Sequence, residues 1–357
     1  MSRYISERLQ KLVPYTPGFR PADPRRCVKL NTNESPFPPS PAVTRAVAEA
    51  VGTLNLYPDP LAASLRAALA SELGVEPENV TVSNGSDEVL AFCFHALCPN
   101  GAVFADETYG FYSVFCDMFG VKQHIIPLSD DFSINIADYY DTGGTVFIAN
   151  PNAPTGLFLP VEGIVELARS RPSRLVVVDE AYVDFGGESC VSAAVKLPNL
   201  LVVRTFSKSR SLAGARVGFA VGCAELIADL ERLRCSFNPY NVGALALAAA
   251  EAALCDREYF EKTRASVMLC REVLANGLRD MGFDVTDSLA NFVFARPPVG
   301  LSGPDYHTAL AERGILVRHF DRPRIKDRVR ITVGSESDVR AVLDATKSIL
   351  EVYDEKR

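Results

Sequence analysis

Five absences narrow what this chain of 357 residues can be. It has no dense block of Lys or Arg, and its formal net charge is -7. A nucleic-acid partner, which needs a basic face for its phosphates, is therefore not expected. The nine cysteines (Cys27, Cys93, Cys98, Cys116, Cys190, Cys223, Cys235, Cys255 and Cys270) include no CxxC pair and no Cys/His ligand spacing. Most sit among apolar neighbours, as buried thiols do, so they read as reduced and structural, and no metal is expected. No apolar run approaches the length of a membrane span, so no membrane partner is expected. The opening MSRYISERLQKLVPY carries charges every few positions where a signal peptide would have an apolar core, which points to the cytoplasm. Finally, no GxGxxG follows the first expected strand, which argues against a dinucleotide-dependent oxidoreductase.

Apolar residues make up 48% of the chain, enough for a large core, and the length suggests about two domains. From about residue 60 to 245, short β-rich runs (NVTVSNG, GAVFADE, KQHIIPL, GTVFIANP, RLVVVDEAY, NLLVVRTFSK, ARVGFAVG) alternate with helical patterns. That rhythm is the signature of an α/β domain with a mostly parallel, seven-stranded sheet. The near-continuous apolar character of VVVDE and VFIAN fits strands covered on both faces. The Ala-rich stretch from Val242 to Leu254 reads as a buried helix leading out of this domain. A long amphipathic helix ended by Gly282 follows, then NFVFAR, a helix ended near Gly314, GILVRHF, RVRITVG and a last helix. These form a smaller α+β domain. The Pro-rich LNTNESPFPPSP is mostly extended and should wrap over another part of the molecule. The expected division is an N-terminal segment at 1–44 packing on the small domain and active site, a large domain at 45–245 and a small domain at 246–357.

In a parallel α/β sheet, ligands bind beyond the carboxyl ends of the strands. Four polar groups stand there. In SNGSDEVLAFCFHAL a strand ends at Asn84-Gly85-Ser86-Asp87 and a helix starts at once, an arrangement that suits a phosphate, although a plain N-cap explains the same residues. NPNAPTG, residues 150 to 156, is a rigid turn whose asparagine amides could face a site. In VVVDEAYVDF, Asp179 emerges from a buried strand and needs a partner for its charge, with Tyr182 three residues on. In RTFSKSRSLAGARVG, Lys208 follows a buried strand, beside Thr205 and Ser207 and eight residues before Arg216. A partly buried amine next to a second cation suits attack on a carbonyl. A phosphate, a ring nitrogen for Asp179 and an aldehyde for Lys208 are together found in pyridoxal 5'-phosphate.

LNTNESPF, LYPDP, LRAALASELGVEPENVTVSNGSDEVL, ETYGFYSVF, NPNAPTG, VVVDEAYVDF, RTFSKSRSLAGARVGFA and RITVG occur in this order from about residue 12 to 334. In these segments the chain resembles the fold type I pyridoxal-phosphate aminotransferases and, within them, the histidinol-phosphate aminotransferases. The resemblance implies that Lys208 holds the cofactor through a Schiff base and moves the substrate proton. It implies that Asp179 bonds the ring nitrogen, Tyr182 the ring hydroxyl, and that Tyr109 stacks on the ring. Ser86, Asp87, Thr205, Ser207 and Arg216 would hold the phosphate, joined by Tyr57 from the neighbouring subunit of a homodimer with shared active sites. Where the family has an asparagine just before PTG, this chain has Ala153, and Asn152 is the expected substitute. Tyr15, Asn33, Arg318 and Arg330 are expected around the substrate. The implied reaction exchanges an amino group between L-histidinol phosphate and 2-oxoglutarate, giving imidazole-acetol phosphate and glutamate, in histidine biosynthesis. An aromatic amino-acid aminotransferase and a threonine-phosphate decarboxylase are the alternatives on the same scaffold.

Overall fold

The computed structural model describes residues 4–23 and 27–354. Residues 1–3, 24–26 and 355–357, which fall in the expected N-terminal and C-terminal segments, lie outside the described residues. In chain order the strands are β1 (Val28–Lys29), β2 (Val80–Ser83), β3 (Ala102–Ala105), β4 (Gln123–Ile126), β5 (Thr145–Ala149), β6 (Val176–Asp179), β7 (Leu200–Thr205), β8 (Gly218–Val221), β9 (Asp284–Val285), β10 (Phe292–Arg296), β11 (Ile315–Leu316), β12 (Arg318–His319) and β13 (Val329–Thr332). The helices are α1 (Pro41–Ala50), α2 (Ala63–Leu73), α3 (Ser86–Ala96), α4 (Phe111–Phe119), α5 (Val161–Ser170), α6 (Val191–Ala194), α7 (Ala224–Phe237), α8 (Ala244–Cys255), α9 (Arg257–Asp280), α10 (Gly303–Glu312) and α11 (Glu336–Asp354). Among the described residues no helix is long and apolar enough to cross a membrane.

Seven strands form one sheet in the order β2-β8-β7-β6-β5-β3-β4. All neighbours are parallel except β8, which runs antiparallel to both β2 and β7. The runs that read as strands covered on both faces are so covered. Val146, Ile148, Val176, Val178, Leu200 and Val202 enter one core, and Phe147, Val177, Leu201 and Val203 enter the other, with α3, α4 and α7. Successive strand residues alternate between faces. The next residues of the second set, Ala149, Asp179 and Thr205, therefore emerge on the same face at the carboxyl edge.

The second sheet is antiparallel in the order β12-β13-β10-β9. It packs with α9, whose Val267, Cys270, Leu274 and Leu278 recur at helical spacing on the buried side. The N-terminal segment joins this part, since β1 pairs in parallel with β11 and Leu30 lies in the same core. Leu247, Ala249, Ala250, Ala253 and Leu254 of α8 belong to the core of the first sheet, with Val43 of α1. The first core's packing thus continues past residue 245 to the end of α8.

Gly218 opens β8 against the start of α3. A Cβ there would lie 2.3 Å from Ser86 N and 2.4 Å from the Gly85 carbonyl carbon, both backbone atoms. Gly214 is a control, because a Cβ there meets nothing within 4 Å. Gly218→Ala should push the α3 start away and destabilise by on the order of 1–3 kcal/mol, while Gly214→Ala stays within about 0.5 kcal/mol of wild type. Thermal melting of the two variants checks this, and equal melting temperatures would remove the close approach from the account.

Candidate active site

A cleft of about 300 Å³ lies at the carboxyl edge of the large sheet, and Ala149, Asp179 and Thr205 line it, as their common strand face requires. At one end α3 begins. Gly85 takes φ +74°, a conformation open to glycine, and Ser86 and Asp87 follow on the cleft wall. The first N–H groups of a helix have no partner within it and carry the positive end of its dipole. Facing them, Thr205 Oγ1 donates to Ser207 Oγ at 3.0 Å and accepts from Ser207 N at 3.1 Å. Arg216 reaches Ser207 Oγ at 3.4 Å and Asp87 Oδ2 at 3.1 Å. Its guanidinium occupies space that a Cβ on Gly85 would take, 2.6 Å from Nη2. The Asp87 carboxylate also accepts from the Tyr109 hydroxyl at 2.8 Å, so what it turns toward an anion is its backbone N–H. A helix start, a guanidinium and two hydroxyls make an anion site.

Asp179 is 5% exposed. Burial pushes its carboxyl up from 3.8 to about 6, against the lowering effect of a hydrogen bond from Tyr112. Tyr112 Oη donates to Oδ2 at 3.1 Å and Ala181 N to Oδ1 at 3.2 Å. Lys208 follows β7 by three residues and is half-buried, with Nζ 5.7 Å from the centroid of the Tyr182 ring. The turns carrying these two residues are tied together below the cleft: Asp184, two residues after Tyr182, takes an ion pair from Arg204 and a hydrogen bond from Ser209.

Arg330, on β13, is flanked by the rings of Phe292 and Phe320 at 5.3 and 5.5 Å. Its Nη2 donates to Asn31 O at 3.2 Å, but its Nε is buried without a partner. Burial, with Arg318 adding in the same sense, holds its guanidinium below the ordinary arginine value. Arg318 donates to the carbonyls of Thr16 at 3.0 Å and Pro17 at 3.4 Å. Tyr15 stacks on Phe111 at 4.4 Å and stands 6.5 Å from Tyr109.

Six expected residues do not line this cleft: Tyr15, Arg318 and Arg330, whose partners are given above, and Asn152, Asn33 and Tyr57. Asn152 does not turn inward to replace the missing asparagine: its amide is engaged by Thr108 Oγ1 at 2.8 Å, the Glu107 carbonyl at 2.9 Å and Thr155 Oγ1 at 3.1 Å. Ala153 does face the cleft, with its methyl packed near Tyr182 and Phe292. Asn33 is fully buried, its amide bonded to Tyr182 and Thr332. Tyr57 is 80% exposed and stacks on Tyr240. In the other direction, Thr32, Glu34 and Tyr112 were missed. Thr32 and Glu34 flank Asn33 on the cleft wall. Tyr112 had a signal, because a phenol inside the apolar run FYSVF needs a polar partner once buried.

A carboxyl whose folded pKa is raised binds its proton more tightly in the native protein, so it lowers stability as pH climbs from 3.8 to about 6. Asp179→Asn should therefore make the cofactor-free protein more stable at pH 8, by up to about 3 kcal/mol from a shift of 3.8 to about 6. The difference should vanish at pH 4. Melting curves at the two pH values check this, and a gain independent of pH would count against titration of Asp179 as its cause.

Comparison with known proteins agrees with this geometry. Residues 25–345 match the family "Aminotransferase class I and II". Histidinol-phosphate aminotransferase 1 of Bradyrhizobium diazoefficiens is 49% identical over 352 residues, covering 98% of this chain and all of that protein. Histidinol-phosphate aminotransferase 2 of Dechloromonas aromatica is 49% identical over 357 residues, covering 98% and 99%. Among solved structures, histidinol-phosphate aminotransferase from Sinorhizobium meliloti in complex with pyridoxal-5'-phosphate shares the fold at TM-score 0.86 and 24% identity, covering 98% of this chain and 99% of that one. L-threonine-O-3-phosphate decarboxylase from Porphyromonas gingivalis shares it at TM-score 0.79 and 22% identity, covering 91% and 99%. The family match runs through Asp179, Lys208, Arg318 and Arg330, and the relatives are similar from end to end, so this chain belongs to the class I and II aminotransferases.

Proposed function

We propose that the cleft takes pyridoxal 5'-phosphate and that the protein exchanges an amino group between L-histidinol phosphate and 2-oxoglutarate, giving imidazole-acetol phosphate and L-glutamate. The observation that carries this reading is one cleft holding Lys208, the raised Asp179 carboxyl and a helix start backed by Arg216. The residues fit the group. A cationic ring N–H supplies the partner that burial of Asp179 calls for, the α3 start with Thr205, Ser207 and Arg216 suits its phosphate, and Lys208 suits its aldehyde. When bound, pyridoxal phosphate supplies an electron sink for the carbon that loses its proton and stores the amino group between half-reactions. With that group bound, Asp179 would hold the proton on the ring nitrogen, Tyr109 and Ala181 of the cleft wall would confine the ring, and Lys208 Nζ would take up and return the substrate proton.

The substrate choice rests on Arg330 and Arg318. Two guanidinium groups, one with an unpartnered buried Nε, suit the phosphate dianion of histidinol phosphate and can also receive a carboxylate of the second substrate. The relatives named histidinol-phosphate aminotransferase support the same choice. The reaction belongs to histidine biosynthesis, and we place it in the cytoplasm. The same reading treats the two sheets as large and small domains, with the N-terminal segment closing over the substrate.

Stopped-flow mixing of the cofactor-loaded enzyme with histidinol phosphate, phenylalanine or threonine phosphate tests the substrate. Rapid loss of the bound-cofactor band with histidinol phosphate is expected, whereas CO2 release from threonine phosphate or a preference for phenylalanine would reject the reading. Arg330→Ala should lower kcat/KM for histidinol phosphate by about 10- to 100-fold, the range for losing hydrogen bonds to a charged group. Cofactor affinity should change little, and equal loss of both would contradict the role.

Tyr57 bears on assembly. It is exposed, as are its chain neighbours Leu54, Leu56 and Leu61 and, three residues before its stacking partner Tyr240, Phe237, and this exposed apolar surface favours a second copy of the chain. In the resulting homodimer Tyr57 reaches the neighbour's phosphate site. Lys208→Ala and Tyr57→Ala subunits, each poorly active alone, should regain activity when unfolded and refolded together, because one site of each hybrid then has both side chains intact. No recovery in hybrids confirmed by mass would exclude the shared site.

A further inference from the structure

Tyr182 and Ala153 line the cleft together, and Ala153 offers only a methyl. What Tyr182 can do to a ligand depends on where its one hydroxyl hydrogen points, since the oxygen can also accept. That direction is set from outside the cleft. The backbone N–H of Asn33 donates to Thr332 Oγ1 at 2.9 Å, and that hydroxyl donates onward to Asn33 Oδ1 at 3.0 Å. The amide is thereby oriented with its oxygen toward Thr332, and Nδ2 donates to Tyr182 Oη at 2.9 Å. A flipped amide would leave the hydroxyl hydrogen of Thr332, which is 2% exposed, without an acceptor.

The relay is rigidly mounted. Asn33 is 0% exposed, takes φ +55°, and its carbonyl accepts from Asn291 Nδ2 at 3.0 Å. Thr332 ends β13, where its N–H bonds to Leu30 O at 2.9 Å. A Tyr182 oxygen that already accepts from Asn33 keeps its hydrogen for another acceptor. Among the described residues it donates to no protein group, and its open side is the cleft.

We propose that Asn33 and Thr332 are positioning residues that direct the Tyr182 hydrogen into the cleft, onto the ring oxygen of bound pyridoxal phosphate. The inference rests on the cofactor reading above. It makes Tyr182 an obligate donor and so offsets the absence of a polar side chain at Ala153. It also means that Asn33 of the N-terminal segment and Thr332 of the small sheet act on the cofactor from behind the cleft wall. A hydrogen donated to the ring oxygen competes for that oxygen's charge with the proton shared toward the lysine-derived nitrogen. It therefore lowers the pH at which the shared proton is lost.

The test is a pH titration of the visible band of the lysine-linked cofactor in reconstituted variants, with melting curves of the same samples and cofactor dissociation constants. Tyr182→Phe should raise the titration midpoint. Thr332→Val should raise it by about half a unit to one unit, the size expected for one neutral hydrogen bond. Thr332→Ser should restore the wild-type midpoint. Asn33→Gly, which suits the positive φ, should shift it in the same direction and serves if Thr332→Val does not fold. In a Tyr182→Phe background neither substitution should shift the midpoint further. If Tyr182→Phe raises the midpoint but Thr332→Val and Asn33→Gly only lower the melting temperature, the relay is structural and the proposal is overturned. A shift that persists in the Tyr182→Phe background overturns it too. A midpoint unmoved by Tyr182→Phe would instead reject the placement of the cofactor ring oxygen beside Tyr182.

Discussion

The carboxylate of Asp179 stands where a strand buried on both faces runs out, and the site is organised around keeping a charge there. Strand alternation sends the side chain to the α3, α4 and α7 side together with Ala149 and Thr205. Tyr112 reaches it from α4 and the Ala181 N–H from its own turn. Two neutral donors do not cancel the desolvation of a fully enclosed carboxylate, so its pKa stays raised. A cationic ligand group completes the balance. The protein therefore carries, in its cofactor-free form, a local instability that binding relieves.

The anchoring of Lys208 follows the same economy of position. The lysine lies on a short turn, but the turn is not free. Ser207 is bonded within the anion site, and Ser209 is bonded to Asp184, which also pairs with Arg204. Fixing the residues on both sides restricts where the lysine backbone can go while leaving its side chain to move. Tyr182 and Asp184 leave the same turn after β6, so the Asp184 pairing also sets Lys208 against the Tyr182 ring. Gly85 and Gly218 do the corresponding work at the anion site by letting Arg216 and β8 approach the start of α3.

The strand-end residues were legible in the sequence because two rules locate them without tertiary knowledge. Apolar runs such as VVVD mark strands buried on both faces, and in parallel sheets the ligand lies past their carboxyl ends. What could not be read was side-chain direction in irregular segments. NPNAPTG suggested inward amides, but Asn152 is engaged by Thr108, 44 residues away, and Asn33 by Thr332, 299 residues away. No local pattern encodes such partners. Tyr112 was legible only in part: a phenol in the apolar run FYSVF signals a need for a polar partner, but that this partner is Asp179 emerges only on folding. Apart from Glu251 the Ala-rich α8 is apolar on all sides, so periodicity could not say which core it joins. The structure seats it on α1 and α2.

Arg330 is the counterpart of Asp179 in sign and in logic. Enclosed near two aromatic rings, with one carbonyl partner and an unpartnered Nε, it is a cation held partly out of water before any ligand arrives. A guanidinium in that state is weakly solvated, so an incoming phosphate or carboxylate displaces little water from it and gains most of the charge-assisted bond. Arg318 is different, because its partners are the carbonyls of Thr16 and Pro17, which an anion can outcompete. Asp179 comes from the seven-stranded sheet and Arg330 from the small antiparallel one. On the proposed reading, a cofactor held at the first and a substrate held at the second would bring both under-satisfied charges into one site, and the relative position of the two sheets would then decide how well one bound ligand could meet both.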